Sequence, residues 1–241
     1  MVQRILKNSA YKHLAPFYDK STNLKIFTIY KSIIGKVKNK CILDLGCGTG
    51  TLLKNYSLNN KTFGIDVSPE MINIAKAKDK NSSYKIGDIK KFKLEKKFNI
   101  ITCAYDTINH LQSLKSWGRL FKNVSAHLTD DGIFIFDYNT IEGLKNSSGT
   151  ILQKIDGNYI IRRVKNKRQT CFWEFHGFIK QSSNLFKYQK TIIREKSYPD
   201  QAVEKEVSKY FEIIDIIRNN NNRVYVKSKK KRPDISTLGR L

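Results

Sequence analysis

Several residue types are scarce in this chain of 241 residues, and each shortage narrows the class of protein. With 4 Pro and 13 Gly against 40% hydrophobic residues, the sequence does not fit a disordered or fibrous chain and predicts a folded core. No window approaches the roughly 18 consecutive apolar residues of a membrane span. Residues 1–10 lack the apolar core of a signal peptide, so we expect a cytoplasmic protein without membrane association. The four cysteines, Cys41, Cys47, Cys103 and Cys171, lack close C-x-x-C spacing, so we predict reduced thiols and no metal site.

Acidic residues are also scarce, because 21 Asp and Glu stand against 45 Lys and Arg, which gives a formal net charge of +24. Such an excess is typical of nucleic-acid-binding proteins. Here, however, most of the cations are Lys rather than Arg, whose planar fork binds phosphate with two parallel hydrogen bonds. They are also spread along the whole chain. We therefore interpret most of the charge as a solvated lysine coat and keep nucleic acid as the alternative partner.

The middle of the chain alternates strand-sized apolar runs with helix-sized amphipathic segments. This alternation is typical of a parallel sheet that is covered by helices. The predicted strands are 40–45, 62–66, 83–86, 98–104 and 132–138. The predicted helices are 51–58, 69–78 and 113–128. Ser68 and Pro69 give the second helix a good start, and a turn at Asp130, Asp131 and Gly132 is predicted to end the third.

Beyond residue 149 the pattern changes to short β segments. Four strands are predicted at 151–155, 159–164, 170–179 and 185–194, with turns at 156–158, 165–167 and 182–184. A helix at 201–209 and closing strands at 210–217 and 223–226 follow. We therefore predict one domain from 1–149 and 198–228, in which 1–39 form a helical cover. We further predict an inserted antiparallel β subdomain at 150–197 and a basic, disordered tail at 229–241.

The most informative segment is a buried strand that runs directly into a glycine-rich turn and a helix. Asp44 lies on the strand, and Gly46, Gly48 and Gly50 follow with G-x-G-x-G spacing. Glycine allows the backbone to bend tightly and to approach a ligand at the carboxyl end of a strand. The spacing differs from the G-x-G-x-x-G fingerprint of dinucleotide-binding dehydrogenases, which counts against that competing function.

Two further acids follow neighbouring strands at positions that a nucleoside requires. Asp66 ends the next strand, 20 residues after Gly46, where doubly wound folds place an acid that accepts both ribose hydroxyls. Asp88 follows the third strand and is suited to accept the amino group of an adenine ring. Together with the glycine turn, these acids describe a pocket for a ribose, an adenine and a polar tail.

These elements, in this order over residues 40–139, resemble the class I S-adenosylmethionine-dependent methyltransferases. The resemblance implies an α/β Rossmann-like fold: a seven-stranded doubly wound sheet whose last strand is antiparallel. It also implies S-adenosylmethionine as the cofactor, with its methionyl part at the glycine turn, its ribose at Asp66 and its adenine between Met71 and Asp88. The cofactor-binding residues that it implies are Tyr11, Tyr18, Asp44, Gly46, Cys47, Gly48, Gly50, Asp66, Val67, Met71, Gly87, Asp88, Ile89, Cys103 and Ala104.

Two further segments resemble those of small-molecule methyltransferases. Residues 103–111 resemble the D-x-x-N-H/Y-L stretch that faces both the sulfonium and the acceptor. They depart from the N/D-P-P-Y/F motif of enzymes that methylate amino groups of DNA and glutamine. Residues 11–19 resemble the Y-x-x-L-A-x-x-Y-D segment that lies over the cofactor. Tyr11 and Tyr18 are therefore candidates for contacting the methionyl end or the acceptor, with ordinary helix packing as the alternative.

The inserted β strands resemble the auxiliary antiparallel sheet that roofs the active site in aminosugar N-methyltransferases and in glycine N-methylating enzymes. The implied substrate is therefore a small polar metabolite, in particular a nucleotide-linked sugar. Basic residues at 162–168 are candidates for gripping a diphosphate, with a solvated turn as the alternative. The substrate-binding candidates are Tyr105, His110, Tyr138, Arg162, Trp173 and His176.

His110 is the leading candidate for a general base, because it follows the strand on the catalytic face and titrates near neutrality. A structural histidine is the alternative. Tyr11 joins it as a catalytic candidate, and Asp106, His176 and Glu174 are weaker candidates for the base. A hydroxyl acceptor benefits from a base, whereas an amine need only be bound in its neutral form.

The sequence thus predicts a methyltransferase that acts on an amine or hydroxyl of a small polar metabolite, with a homodimer left open. The alternative is an RNA or tRNA methyltransferase that uses the basic surface. A third hypothesis, a non-catalytic protein of the same fold, is disfavoured because the glycine turn, Asp66 and Asp88 are intact.

Overall fold

The computed structural model describes residues 11–22, 25–220 and 222–231. The strands are β1 Cys41–Leu45, β2 Lys61–Asp66, β3 Ser83–Ile86, β4 Phe98–Cys103, β5 Leu128–Asn139, β6 Gly149–Ile155, β7 Asn158–Lys167, β8 Thr170–Lys180, β9 Phe186–Lys196, β10 Phe211–Asn219 and β11 Arg223–Lys230. The α-helices are Tyr18–Ser21, Ile26–Ile34, Thr51–Lys54, Pro69–Lys78, Leu114–His127, Ile141–Asn146 and Asp200–Val207. Short 3-10 helices lie at Ala15–Phe17 and Thr107–His110. None of the helices in these ranges is long and apolar enough to cross a membrane.

The larger sheet has seven strands in the order β10, β11, β5, β4, β1, β2, β3. Strands β1 to β5 are parallel, whereas β11 runs antiparallel to both β5 and β10. This arrangement confirms the predicted doubly wound sheet with an antiparallel last strand. The strand order reverses between β1 and β4, and open α/β sheets bind ligands at the carboxyl ends of the strands beside such a reversal.

Both faces of this sheet are covered, and each buries its own cluster of apolar side chains. One cluster is rich in aromatic rings and contains the fully buried Trp117, Phe121, Phe134 and Phe136. The other cluster includes the buried residues of helix Ile26–Ile34. Burial on both sides explains why the central strands read as continuous apolar runs rather than as an alternating pattern.

Local hydrogen bonds set the ends of the helices beside the glycine turn and after β2. Helix Pro69–Lys78 starts as predicted, because the Ser68 hydroxyl accepts the Met71 N–H at 3.3 Å. The helix after the glycine turn is shorter than predicted and ends at Lys54. The side-chain amide of Asn55 donates to two carbonyls of that helix, at 2.8 and 3.4 Å, and so competes with its continuation.

The turn predicted at Asp130, Asp131 and Gly132 was wrong. Strand β5 begins at Leu128, directly after the preceding helix, and residues 129–132 form an irregularity in its pairing with β4. Asp130 also forms an ion pair of 3.0 Å with Lys230 of β11, which holds this part of the chain beside the sheet.

The closing strand is longer than predicted. Strand β11 continues to Lys230, although the disordered tail was predicted to begin at 229. Lys230 and Lys229 pair in register with Phe211 and Glu212 of β10, and the Lys229 ammonium lies 3.2 Å from the Glu212 carboxylate. These pairings keep both lysines in the sheet. The rest of the predicted tail, 232–241, and residues 1–10 of the predicted cover lie outside the described residues.

Strands β6 to β9 form a second, antiparallel sheet in sequential order, which confirms the predicted inserted sheet; we call it the roof sheet. The first hairpin turns at Asp156 and Gly157, both with positive φ, as the sequence predicts. The turn predicted at 165–167 was wrong, because β7 continues to Lys167. The chain turns instead at Arg168, with φ of 56°, and Gln169, a pair without the usual glycine signal. The division of the chain into separate domains stays a prediction.

Strand β9 lies at the edge of the roof sheet and runs beside the segment that follows β4. The Asn109 side-chain amide donates to the Lys196 carbonyl at 3.0 Å, and the Gln112 amide donates to the Arg194 carbonyl at 3.0 Å. An edge strand otherwise presents unpaired backbone groups to other chains. These two bonds therefore cover part of the edge and fix the roof sheet against the larger sheet.

The roof sheet has an inner and an outer face, because side chains alternate along each strand. On the inner face, Val164 and Cys171 pack against Leu144 of helix Ile141–Asn146. On the outer face, Phe178 and Tyr188 are cross-strand neighbours that are exposed to solvent, at 36% and 53%. Helix Ile141–Asn146 therefore covers part of the inner face, whereas the outer face is exposed to solvent at Phe178 and Tyr188.

Candidate active site

A cavity of about 760 Å³ opens at the carboxyl ends of β1, β2 and β4, where the strand order reverses. Its volume lies within the range of small-molecule sites. The lining residues come from the N-terminal segment, the larger sheet and β9. They are Tyr11, Tyr18, Gly46, Gly48, Asp66, Val67, Met71, Gly87, Asp88, Ile89, Lys90, Tyr105, Thr107, His110, Leu111, Gln112, Ile192, Ile193 and Arg194. The structure therefore brings together most of the residues predicted to bind the cofactor.

The glycine turn presents bare backbone to this cavity. Gly46 has φ of +72°, and a Cβ added to it would lie 2.3 Å from Thr107 Cγ2, so a side chain does not fit there. Gly48 has φ of +52°, and the nearest atom to an added Cβ would be Tyr18 Cε1 at 4.0 Å. The space beside Gly48 is thus open toward the aromatic cover, which allows a ligand to approach the main chain closely.

Asp66 places a buried carboxylate at the end of β2. Its oxygens accept the backbone N–H of Gly48 at 2.9 Å and that of Ser68 at 2.8 Å. Burial raises the pKa of Asp66, while these two N–H donors act in the opposite direction. The carboxylate is therefore held in a fixed orientation beside the glycine turn, where it can accept hydroxyl groups of a ligand.

A second acid, Asp88, lines the cavity after β3. Its Oδ1 accepts the Lys90 N–H at 2.9 Å, and its Oδ2 lies 3.4 Å from the Lys90 ammonium. The side chain is 28% exposed, so it keeps access to a ligand. Met71, which is 2% exposed, lines the same cavity and offers an apolar surface. An acceptor beside an apolar side chain suits a flat heterocycle that carries an amino group.

Aromatic side chains form a cover over the cavity. The ring of Tyr11 lies edge-on to Tyr18 and to His110, with centroid separations of 6.0 and 5.8 Å. Tyr18 in turn lies edge-on to Tyr105, at 6.4 Å. Edge-to-face contacts at these separations are favourable for aromatic rings. The cover thus joins the N-terminal segment to the loop after β4.

Ion pairs tie this N-terminal segment to both sheets. Asp19 pairs with Lys78 at 2.5 Å and accepts the Thr49 hydroxyl at 2.6 Å, which fixes it to the glycine turn. Lys20 pairs with Asp156 in the first turn of the roof sheet, at 2.5 Å. Two consecutive residues therefore connect the cover to different parts of the fold.

Tyr11 and His110, both predicted to be catalytic, form a hydrogen bond of 3.0 Å between the Tyr11 hydroxyl and His110 Nε2. Burial lowers the pKa of His110, against the opposing effects of Asp106, the Arg194 carbonyl and Asp66. Burial raises the pKa of Tyr11 well above its ordinary value. Both groups are therefore neutral near pH 7, and the direction of the hydrogen bond follows the tautomer of the imidazole.

Five residues of the predicted cofactor set do not line the cavity. They are Asp44, Cys47, Gly50, Cys103 and Ala104. Asp44 is buried on β1, where its Oδ1 accepts the Thr102 hydroxyl at 2.6 Å and where burial raises its pKa to about 7. Cys47, Cys103 and Ala104 belong to the buried apolar clusters. These side chains support the turn and the strand ends from beneath.

Several predicted catalytic and substrate residues also lie outside the cavity. Tyr138 is buried against Trp117, and its hydroxyl donates to Asp200 at 3.0 Å. Asp106 begins the loop that carries His110, and its side chain is buried away from the cavity. Tyr138 lies outside the cavity because β5 is buried on both faces, and the Tyr138 side chain packs into the core on one of them.

The predicted residues of the roof sheet divide between its two faces. Arg162 and Trp173 lie on the inner face, with the guanidinium 5.4 Å from the indole centroid, and neither lines the cavity. His176 and Glu174 lie on the outer face, where His176 Nδ1 is 2.8 Å from the Tyr188 hydroxyl. Their roles in substrate binding or catalysis stay predictions.

Seven lining residues were missed in the sequence. They are Lys90, Thr107, Leu111, Gln112, Ile192, Ile193 and Arg194. Four of them lie within two residues of predicted ones, so a longer window around Ile89, Asp106 and His110 would have found them. The three from β9 carry no local signal, because only the fold places that edge strand beside the cavity.

Comparisons with known proteins agree with this geometry. A family model described as a methyltransferase domain matches residues 42–132. The matched segment contains the glycine turn, both cavity acids and the loop that carries His110.

Two curated relatives and one solved structure show how far the similarity extends. An uncharacterised protein from Methanocaldococcus jannaschii is 33% identical over 188 residues, which are 68% of this chain and 69% of that protein. A dTDP-3-amino-3,6-dideoxy-alpha-D-glucopyranose N,N-dimethyltransferase from Streptomyces fradiae is 28% identical over 101 residues, 42% of this chain and 40% of that enzyme. That match spans less than half of the enzyme's length. An S-adenosylmethionine-dependent methyltransferase from Clostridium acetobutylicum has the same fold, with a TM-score of 0.78 and 23% identity over 93% of this chain and 100% of its own.

Proposed function

Because the chain belongs to the class I S-adenosylmethionine-dependent methyltransferases, with S-adenosylmethionine as its cofactor, we propose that it methylates the amino group of a nucleotide-linked sugar. Tyr11 and His110, which line the cavity as a hydrogen-bonded pair, support an acceptor that must give up a proton, such as the protonated form of an amine. The Streptomyces fradiae relative, which by its name dimethylates an amino sugar, supports the substrate class.

The residues of the cavity fit the cofactor. The open backbone at Gly48 suits the methionyl end, the Asp66 carboxylate suits the ribose hydroxyls, and Asp88 with Met71 suits the adenine. The cofactor supplies a methyl group on a positively charged sulfur, which makes that methyl electrophilic. The remaining tasks of the protein are to align the acceptor, exclude water and remove one proton.

Tyr11 and His110 are placed to remove that proton. An amine attacks only through a free electron pair, so an amine that arrives protonated must lose one proton before its nitrogen gains the methyl group. We assign the proton to the Tyr11 oxygen, which passes its own proton to His110 Nε2, 3.0 Å away. The lowered pKa keeps His110 unprotonated and ready to accept near neutral pH.

Isothermal titration with S-adenosylmethionine tests the cofactor site. Asp66→Asn should weaken binding by about 10- to 100-fold, because hydrogen bonds to a charged group contribute about 1.5–3 kcal/mol. Asp215→Asn, which removes an exposed acid on β10, is the matched control and should bind as the parent chain does. Equal affinity of Asp66→Asn and the parent chain would contradict this assignment.

The acceptor is tested by mass spectrometry of reactions with nucleotide-linked amino sugars. We expect the substrate mass to rise by one or two methyl groups, with S-adenosylhomocysteine formed in equal amount. The same sugars with a hydroxyl in place of the amine should react slowly or not at all. Preferential methylation of the hydroxyl compounds would overturn the choice of nitrogen.

A second candidate, single-stranded RNA as the acceptor, is favoured by the outer face of the roof sheet. This face carries aromatic side chains on neighbouring strands and cations along the same rows, among them Lys165 beside Phe172 and Arg194. Ile192 and Arg194 also line the cavity, so the outer face is continuous with its mouth. Aromatic platforms flanked by cations bind single strands by stacking and charge.

Fluorescence anisotropy with a labelled RNA oligonucleotide distinguishes the two candidates. The RNA candidate requires binding that weakens steeply as salt rises and that is lost when Phe178 and Tyr188 are replaced by Ala. A flat salt response removes this candidate. Sedimentation that shows a dimer disrupted by the same two replacements would assign the face to a second copy of the chain and would also remove it.

A further inference from the structure

The loop that carries His110 begins with two residues in an unusual backbone conformation. Tyr105 has φ of +59° and Asp106 has φ of +52°, and neither is glycine. Two consecutive residues of this kind store strain, which persists only where the surroundings enforce it. They redirect the chain from β4 into the 3-10 helix Thr107–His110. The last residue of this helix is His110, whose imidazole contacts Tyr11.

The carboxylate of Asp137, on β5, holds these two residues in place. Asp137 is fully buried and accepts the N–H of Tyr105 at 2.7 Å and the N–H of Asp106 at 2.9 Å. It also accepts the Tyr30 hydroxyl at 2.5 Å. Both strained residues therefore direct their backbone donors at one carboxylate, which compensates for the unfavourable dihedral angles.

Arg223, at the start of β11, closes the same cluster. Its guanidinium bonds to Asp137, to Asp106 Oδ1 at 3.0 and 3.1 Å, and lies 5.4 Å from the centroid of the Tyr105 ring. The planar fork thus bridges both acids and covers the strained residue that lines the cavity. A guanidinium can do this and a lysine ammonium cannot, because only the former presents several donors in a fixed plane.

The roof sheet joins this cluster through Asn139. The Asn139 side-chain amide donates to Asp106 at 3.0 Å and to Glu195 of β9 at 3.1 Å. Burial and the neighbouring Asp106 raise the pKa of Glu195 well above its ordinary value. Asp106 and Asp137 are buried and the Arg223 side chain is 17% exposed, so one guanidinium bridges two acids behind the cavity.

We infer that Asp137 and Arg223 form a positioning pair: together they hold Tyr105 and Asp106 in their strained conformation and thereby set His110 against Tyr11. Neither residue of the pair lines the cavity, so the pair acts only through the loop. The inference rests on the proposed function for its catalytic meaning. Its structural part, the placement of the imidazole, can be tested without any acceptor.

The test follows the His110 ring by heteronuclear NMR during a pH titration of the full chain. In the parent protein His110 should titrate below the model-compound value of 6.5, because the ring is buried. Asp137→Asn should move that midpoint up toward 6.5, since a relaxed loop exposes the ring to water. Arg223→Lys keeps the buried charge but loses the fork, and it should move the midpoint in the same direction.

Two matched variants control for the loss of a buried hydrogen bond and of an arginine fork. Tyr30→Phe removes a donor to the same Asp137 carboxylate without touching the loop. Arg218→Lys alters an arginine that pairs with Asp200 and Glu204 on the far side of the sheet. Both should leave the His110 midpoint where it is in the parent chain.

Steady-state kinetics with an acceptor give a second readout. Asp137→Asn should lower kcat by about 100-fold, because a displacement near 1 Å in the reacting groups has an effect of this size. The dissociation constant for S-adenosylmethionine should stay within about threefold of the parent value, since the pair does not touch the glycine turn, Asp66 or Asp88. Lower thermal stability of the variant with an unchanged His110 midpoint and unchanged kcat would show a merely structural role and overturn the inference.

The two proposals fail in different ways. A parent chain that binds no S-adenosylmethionine refutes the proposed function, yet the NMR titration still reports whether the pair positions the imidazole. A parent chain that methylates its acceptor, with His110 midpoints equal in all variants, refutes only the positioning pair. If Asp137→Asn does not fold, Arg223→Lys decides the question by the same two measurements.

Discussion

Replacing Tyr11 by Phe is the most direct test of the proposed proton path. The phenyl ring keeps the edge-on contacts with Tyr18 and His110, at 6.0 and 5.8 Å, so the aromatic cover stays in place. The change removes one oxygen atom, and with it the hydrogen bond of 3.0 Å to His110 Nε2. We therefore expect the change to act on the reaction rather than on the fold.

The expected loss in kcat follows from the burial of His110, the hydrogen-bond partner of Tyr11. A buried polar group that loses its partner costs about 1–3 kcal/mol. Each 1.36 kcal/mol in the activation free energy corresponds to a factor of about 10 in rate. If the full cost falls on the transition state, kcat of Tyr11→Phe drops by about 5- to 150-fold. The affinity for S-adenosylmethionine should change little, because Asp66, Asp88 and the glycine turn are untouched.

The assay is the steady-state formation of S-adenosylhomocysteine, combined with isothermal titration of the cofactor. Tyr138→Phe is the matched control, since it removes a buried tyrosine hydroxyl that bonds to Asp200 rather than to a cavity residue. The control should lose some thermal stability and keep its kcat. A Tyr11→Phe variant with the kcat of the parent chain would refute the proton path, and so would an equal loss in both variants.

Three further predictions concern the fold and its dependence on pH. Gly46→Ala should abolish cofactor binding and lower the melting temperature, because the added Cβ would lie 2.3 Å from Thr107 Cγ2. A thermal scan and a titration with S-adenosylmethionine measure both effects, and a variant that still binds the cofactor would contradict this prediction. Phe134→Ala should lower the free energy of unfolding in urea by about 3–5 kcal/mol, since the ring is fully buried, and a loss below about 1 kcal/mol would argue against the assigned core. Because the pKa of His110 is lowered in the folded state, the unfolded chain binds its proton first. The contribution of His110 to stability is therefore fully present above about pH 6.5, the pKa of the unfolded state. It declines as the pH falls toward the lowered pKa of the folded state. Urea denaturation of the parent chain and of His110→Gln should diverge in that window, and parallel curves would show no such linkage.

Much of the fold and of the cofactor site could be predicted because the signals are local. A glycine turn directly after an apolar strand fixes its own geometry, and Asp66 and Asp88 each directly follow a strand. Parallel strands then bring their carboxyl ends to one edge of the sheet, where these residues meet. The capped start of helix Pro69–Lys78 could be predicted for the same reason.

The rest depends on contacts between segments that are far apart in the chain. Asp137 and Arg223 meet only because β11 pairs with β5, and nothing in either local sequence marks them. Tyr138 lies on a strand that is apolar on both faces, so periodicity does not distinguish its core side from its cavity side. The turn at Arg168 lacks the glycine or asparagine that marks most hairpins.

The bonds from Asn109 and Gln112 to the carbonyls of β9 have a consequence for protein engineering. They attach the roof sheet directly to the loop after β4, although the two are some eighty residues apart in sequence. A roof sheet taken from another methyltransferase and grafted at 149–197 would arrive without the partners of its edge strand. A working chimera should therefore exchange residues 105–112 together with the roof sheet.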